Sequence, residues 1–249
     1  ELFVRKPNAA LPYYQKVAQL SDTNFRAFSA FAHYRIGECY WRMNDFEKAK
    51  GEFQRFFKGR YERSFRGNAL LRLALCYEMT GNRAEAVKGY AKCAALTPFE
   101  PDDRFASRRA KALAQKPLDA AQTQLIKGIN CVESLRLQEA EQLLRPLAEN
   151  SALSKELRSE AFYNLGETYR ESKRSAEAIA FYLKAVELEP SEERWVMPWS
   201  YYRIAEIHAN AGKIELSRSY IEKAKVFSGY DFQEWLTFLM ERDATLLKG

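Results

Sequence analysis

Tyr34 and Glu38, Tyr163 and Glu167, and Tyr202 and Glu206 are three aromatic–carboxylate pairs at i, i+4 spacing. On a helix that spacing brings ring and carboxylate to one side. A ring face attracts a cation through its quadrupole and a carboxylate pairs with it, so the pairs suit an extended segment carrying Arg or Lys between apolar side chains. Trp41, Arg170, Trp199 and Arg203 fall on or beside the same faces. Packing is the competing reading: tyrosine rings fill gaps between helices as readily as they bind, whereas exposed charge adds little to a core, which favours recognition at the glutamates. Charge reversal at Glu167 and Glu206 is accordingly expected to weaken partner capture with the fold intact.

Covalent chemistry finds no foothold. The sequence contains no GxSxG, P-loop, GxGxxG or HExxH motif, so no catalytic residue is assigned and a non-enzymatic role is expected. His33 and His208 sit in helical patterns with no nucleophile fixed beside them. Cys39, Cys76, Cys93 and Cys131 stand where small apolar residues pack and form no close pair, so they read as reduced core residues, with neither metal nor cofactor expected.

A second surface is suggested by charge. Arg104, Arg108, Arg109 and Lys111, with Lys116 and the preceding Lys58, Arg60, Arg63 and Arg66, make a basic patch in a chain of formal charge +6. An acidic protein or anionic lipid suits it better than specific nucleic acid, because no base-reading motif accompanies the charge. The bland alternative is a solvated helix face.

These residues need helices to position them, and the composition supplies little else. Hydrophobic residues make up 47% of 249, Gly and Pro number only 11 and 8, and good helix formers abound. Charge interrupts every apolar run short of the roughly 20 residues a membrane span requires, and a cytoplasmic location is the expectation. The sequence opens on Glu1 rather than Met, so an upstream targeting signal is compatible with it, and the native protein is expected to extend upstream.

The helices repeat. "YRIGECYW" from Tyr34 returns as "YNLGETYR" from Tyr163 and "YRIAEIHA" from Tyr202. Counting from the small residue of each word, Gly166 is followed by Tyr169, Ala178, Tyr182, Ala185 and Pro190 at +3, +12, +16, +19 and +24. Ala74 is followed by Tyr77, Ala86, Tyr90, Cys93 and Pro98 at the same offsets, and Gly37, Gly128 and Ala205 lead weaker copies. Small and ring-bearing residues on one face, a turn near +7 and a second stripe at +12, +16 and +19 describe a helical hairpin that buries its apolar face only by stacking on neighbours.

The expected organisation is one repeat domain over 1–249, with a half-repeat at 8–20 and repeats at 30–57, 67–98, 121–150, 159–190 and 198–228. A 54-residue interval between Tyr77 and Cys131 must hold an insertion, read as a basic helix at 101–117 with Asp102 and Asp103 capping its start. A closing helix at 231–247 follows, with Asp231 and Glu234 in capping-box spacing and Phe232, Trp235, Leu236 and Leu239 on one apolar face.

The grid resembles that of the tetratricopeptide repeat (TPR) family, most closely in "AFYNLGETYRESKRSAEAIAFYLKAVELEP" and "ALLRLALCYEMTGNRAEAVKGYAKCAALTP". The resemblance implies an all-α, right-handed α-α superhelix (a solenoid) with a concave groove lined mainly by first helices, and places the three Tyr–Glu pairs toward that groove. It implies a protein–protein interaction scaffold or adaptor. The carboxylate-clamp residues of some members are replaced here by Tyr34, Glu38, Leu71 and Leu75, so that clamp is not implied. "PDDRFASRRAKAL", "FFKGRYERSFRGNALLRLALCY" and "AKVFSGYDFQEWLTFLMERDATLL" are also similar to the fungal inclusion-body-clearance proteins, their animal relatives and related bacterial repeat proteins. That likeness implies adaptor work, at the mitochondrial surface or with lipid stores in some members. The spacing of "YRIGECYWRMNDFEKAKGEFQRF" resembles bacterial envelope-assembly factors of the same fold, a second reading.

Overall fold

The computed structural model describes residues 5–19, 26–59, 65–97 and 101–246. Among these the chain is all-α, with thirteen helices and no strand. They are α1 (Pro7–Ala18), α2 (Arg26–Arg42), α3 (Phe46–Lys58), α4 (Arg66–Met79), α5 (Arg83–Ala94), α6 (Pro101–Gln115), α7 (Ala120–Glu133), α8 (Leu137–Glu149), α9 (Lys155–Glu171), α10 (Ser175–Glu187), α11 (Val196–Asn210), α12 (Ile214–Lys225) and α13 (Gln233–Leu246). They group into two compact units, residues 1–123 with 133–135, and residues 124–132 with 136–249. Pro98, Arg60 and Arg63 lie outside the described residues, as does the end of the closing segment, 247–249.

The hairpins α2–α3, α4–α5, α7–α8, α9–α10 and α11–α12 follow the repeat grid, and the +16 contact shows why the first position must be small. A Cβ on Gly37 would sit 2.8 Å from the Phe53 ring, one on Gly128 2.6 Å from Leu144, and one on Gly166 2.5 Å from Tyr182. Each partner is sixteen residues on and fully buried, so side-chain volume on the second helix occupies the space that a first-helix side chain would take. In the α4–α5 hairpin the small residue is shared across the contact: Ala74 stands at the first position, and Gly89 lies where an added Cβ would be 2.8 Å from it.

Each of these hairpins turns identically. The residues seven after the small position, Asn44, Gly81, Leu135, Lys173 and Gly212, all have φ between 59° and 82°. The next amide donates to the carbonyl five residues earlier, Asp45 to Tyr40, Asn82 to Tyr77, Arg136 to Cys131, Arg174 to Tyr169 and Lys213 to His208, at 2.8–2.9 Å. This is the Schellman closure of a helix C-terminus, in which a left-handed residue lets the chain satisfy the last carbonyls. Asp45 and Asn82 then cap the following helices, accepting from Lys48 N and Glu85 N at 3.2 Å. Glycine adopts the left-handed region without the Cβ penalty. Lys173→Gly, at an exposed side chain, is therefore expected to stabilise the fold by roughly 0.5–1 kcal/mol, read as a raised midpoint in urea unfolding.

Hairpins stack within each unit. In the first, α1 packs on α2 and α3 on α4; in the second, α8 packs on α9 and α10 on α11. The inserted helix α6 rests on α4 and α5 and is sewn down by Ser107 Oγ to Ala94 O at 3.2 Å and Arg83 Nη2 to Ala114 O at 3.1 Å. Asp103 is buried and accepts from Gly67 N at 2.9 Å. It therefore serves the start of α4, where Gly67 leaves no side chain in its way, while lying in the first turn of its own helix. Beyond α6, the buried Glu78 carboxylate collects Tyr90 Oη at 2.5 Å, Arg83 at 2.9 Å and Leu118 N at 2.9 Å. That one group joins α4, α5 and the chain after the insertion.

The closing helix α13 buries Leu236, Leu239 and Met240 against Tyr202, Ala205 and Ile221 of α11 and α12. Trp235 departs from the expected apolar face: it is 55% exposed and stacks outward on Phe238 at 5.5 Å. At 100° per residue, 236, 239/240 and 243 make one stripe, and 235 with 238 falls beside it. The start of α13 is shaped by its neighbouring residues. Phe232 takes the left-handed conformation, and Gln233 Oε1 reaches back to accept from Gly229 N at 2.7 Å.

Candidate partner-binding surface

The three tyrosines are core residues rather than surface. Tyr34, Tyr163 and Tyr202 are 2%, 8% and 1% exposed. Tyr34 packs between Phe56 and Phe65, with centroids at 5.5 and 4.9 Å, and its hydroxyl accepts from Asn68 Nδ2 at 3.0 Å. Tyr163 meets Trp195 edge-on at 5.0 Å. Tyr202 donates to Asp243 Oδ2 at 2.7 Å. Burial first, and the carboxylates of Glu38, Glu167 and Glu206 respectively, push all three hydroxyls well above the ordinary tyrosine range.

The glutamates beside them are already engaged. Glu38, 3% exposed, holds Arg42 at 3.1 Å and Arg72 of α4 at 3.3 Å. Glu167 accepts from Arg170 at 2.7 Å and Tyr182 Oη at 2.5 Å, and pairs with Arg203 of α11 at 3.0 Å. Arg203 continues to Glu206 at 2.6 Å. Both units follow one rule: a glutamate one residue after the small position pairs with an arginine two residues before the small position of the next hairpin. The aromatic neighbours cover these arginines. Arg72 lies 4.6 Å over the buried Trp41 ring, and Arg203 lies 5.5 Å from Trp199.

Electrostatics in the second unit are strong. Burial alone would raise the Glu167 pKa, but Arg203 and Arg170 overcome it and lower the value from 4.5 to about 2. Burial disfavours the Arg170 and Arg203 cations, yet Glu167 outweighs it and holds both guanidinium groups above their ordinary range.

Glu167, Arg170, Trp199, Tyr202, Arg203 and Glu206 thus form one cluster on α9 and α11. Arg170, Trp199, Arg203 and Glu206 keep part of their surface toward solvent. Tyr34, Glu38 and Trp41 form a separate cluster in the first unit, closed over by Arg72. Arg72 escaped the sequence reading although it occupies the same repeat offset as Arg203; carrying the grid backward from Ala74 would have found it. Asp243 belongs to a helix outside the grid, where no offset marks it.

Among the basic residues, Arg104 and Lys111 are exposed, while Arg108 and Arg109 are half-buried with their guanidinium groups 5.5 and 5.7 Å from the Phe105 ring. His33 Nδ1 lies 2.7 Å from Glu52 Oε2. His208 stacks on Tyr220 at 5.5 Å, its pKa lowered by burial and then by Lys213. All four cysteines are buried free thiols, and burial pushes Cys39 up to about 11 and Cys93 to about 12. Among the described residues no group of three or more His, Cys, Asp or Glu is placed to hold a metal ion, and no helix is long and apolar enough to cross a membrane.

Comparison with known proteins finds tetratricopeptide repeats at residues 31–58, 68–98, 159–192 and 200–225. No curated protein matches the sequence. Similar solved structures include MamA of strain AMB-1 (18% identity, 78% of this chain and 95% of that one, TM-score 0.37). Pseudomonas aeruginosa pilF is 19% identical over 88% and 87% of the two chains, with a TM-score of 0.39. The APC/C hetero-tetramer Cut9–Hcn1 is 14% identical over 97% of this chain and 53% of its own, with a TM-score of 0.42. Four matched segments coincide with hairpins that share one left-handed turn, and the chain belongs to the tetratricopeptide repeat family.

Proposed function

We propose that the chain is an adaptor that holds an extended segment of a partner protein along the first-helix face of its second unit, across α9 and α11. Repeats of this family are protein-interaction modules, and an interaction scaffold is the general role they give the chain. The finer reading rests on one observation: the Glu167–Arg170–Arg203–Glu206 network remains part-exposed on that face and is bordered by the half-buried Trp199. A fixed ion-pair network keeps unused donor and acceptor positions in defined places, so a partner binds without ordering long side chains. Buried rings make the floor, Arg and Trp make the contact, and both residue types are favoured as binding anchors.

The test is affinity capture by the immobilised chain, comparing wild type with Arg170→Ala/Trp199→Ala. Captured partners are expected to fall about tenfold, while Arg104→Glu/Lys111→Glu on α6 retains them. Circular dichroism and melting confirm that each variant folds; should the double variant melt early, Arg170→Ala alone provides the comparison. Equal capture by the folded α9–α11 variant and wild type, or loss confined to the α6 variant, rejects this face in favour of the basic helix.

A further inference from the structure

The last hairpin and the closing helix flank an open-mouthed cavity of about 250 Å³ lined from α11, α12 and α13. Its wall is unlike the remainder of the first-helix face. Two carboxylates, Glu206 and Asp243, line it with a single guanidinium, Arg242. Neither carboxylate is sealed in: their side chains are 28% and 20% exposed. Arg242 lies on the rim, 49% exposed, and pairs with Asp243 at 2.7 Å. Glu206 shares its partner, because Arg203 also pairs with Glu167 at 3.0 Å. On the wall itself two carboxylates stand against one guanidinium, and each carboxylate keeps a part-exposed edge beside its single arginine partner, Arg203 for Glu206 and Arg242 for Asp243.

A second, independent feature points to a guest. Ser217 lines the cavity, is 1% exposed, and its hydroxyl has no hydrogen-bond partner in the protein. A buried hydroxyl left without a partner is destabilising, a cost a polar guest removes. The rest of the wall includes Ala205, Ala209 and Ile221, small or apolar surfaces against which methylenes pack. The volume lies below the roughly 300–1,000 Å³ of pockets for drug-sized ligands and suits one long side chain.

We propose that this cavity receives a basic side chain, arginine or lysine, from the partner segment. The methylene stem lies on Ala205, Ala209 and Ile221, and the cationic head reaches Glu206 and Asp243. The proposal rests on the reading of the first-helix face as a partner-binding surface, and it adds the chemistry the partner must carry. Tyr202 makes the site rigid: its buried ring lies against α13 and its hydroxyl fixes Asp243 at 2.7 Å, so the second carboxylate is oriented before a guest arrives.

The experiment titrates the intact ¹⁵N-labelled chain with N-acetyl-arginine methylamide, N-acetyl-lysine methylamide and the neutral isostere N-acetyl-citrulline methylamide. At least one basic probe is expected to shift the amide signals of Ala205, Ala209, Asn210 and Ser217, with citrulline binding about tenfold more weakly. Glu206→Gln should weaken the basic probe about tenfold, and Ala209→Phe, which fills the cavity without touching a charge, should abolish the shifts. Citrulline binding as well as arginine and lysine, shifts that persist in Ala209→Phe, or no shift with either basic probe overturns the proposal. Loss of capture in Arg170→Ala with silent probes removes only the cavity; probe binding with capture unaffected by Arg170→Ala removes only the longer surface.

Discussion

Glu167→Ala is expected to cost about 3 kcal/mol of stability, the lower end of what breaking a buried ion pair costs. The carboxylate is the common partner of Arg170, Arg203 and Tyr182, which come from α9, α11 and α10. Its removal leaves two largely covered guanidinium groups facing each other and strips the Tyr182 hydroxyl of its acceptor. The pH dependence gives an independent measure. The folded pKa of about 2 lies below the ordinary 4.5, so the stabilisation is fully present above pH 4.5 and is lost as pH falls toward 2. Urea unfolding of wild type and Glu167→Ala at neutral pH and along this acid limb should therefore show a gap that closes as pH falls. A gap of the same size near pH 2 as at pH 7 would mean that the carboxylate charge is not its source.

This result also revises an expectation. Reversing Glu167 to Lys was expected to leave the fold intact, on the argument that charge adds little to a core. Here the charge joins three helices, so loss of partner capture by that variant would be confounded by loss of stability. Arg170 and Trp199 are the cleaner probes.

The division between what was legible and what was not follows from the geometry of repeats. The hairpin contact runs between fixed offsets in one stretch of chain, Gly166 to Tyr182 or Gly128 to Leu144, so spacing alone exposes it. The turn is equally local, and the left-handed residue recurs at +7 whether it is Gly81 or Lys173. The fate of the Tyr–Glu pairs is not local. Spacing at i, i+4 places Tyr163 and Glu167 on one side of α9, but what covers that side is Arg203, on the next first helix, and its approach depends on how one hairpin stacks on another. Asp103 and Trp235 belong to helices outside the grid. Their roles depend on contacts with Gly67, which is distant in sequence, and on a stripe whose buried edge is set by α11 and α12.

The register itself has a direct test in Gly166→Leu, expected to destabilise by about 3 kcal/mol, the upper end for overpacking, and to lower Tm by roughly 5–10 °C. The first added carbon would lie 2.5 Å from two atoms of the Tyr182 ring. That ring has little freedom to retreat: it is fully buried, its face packs on Tyr163 at 5.6 Å, and its hydroxyl is held by Glu167 at 2.5 Å. Overpacking here therefore loads the ion-pair network as well as the hairpin, and the cost should be partly shared with Glu167→Ala instead of adding to it. Gly51 supplies the control. It lies in α3 with nothing within 4 Å of an added Cβ, so Gly51→Ala should stabilise by about 1 kcal/mol through helix propensity. Opposite signs at two helical glycines cannot come from propensity, which favours leucine and alanine alike over glycine. Equal, small effects at the two sites would show that Gly166 is not the point where first and second helices meet, and the register would fall with it.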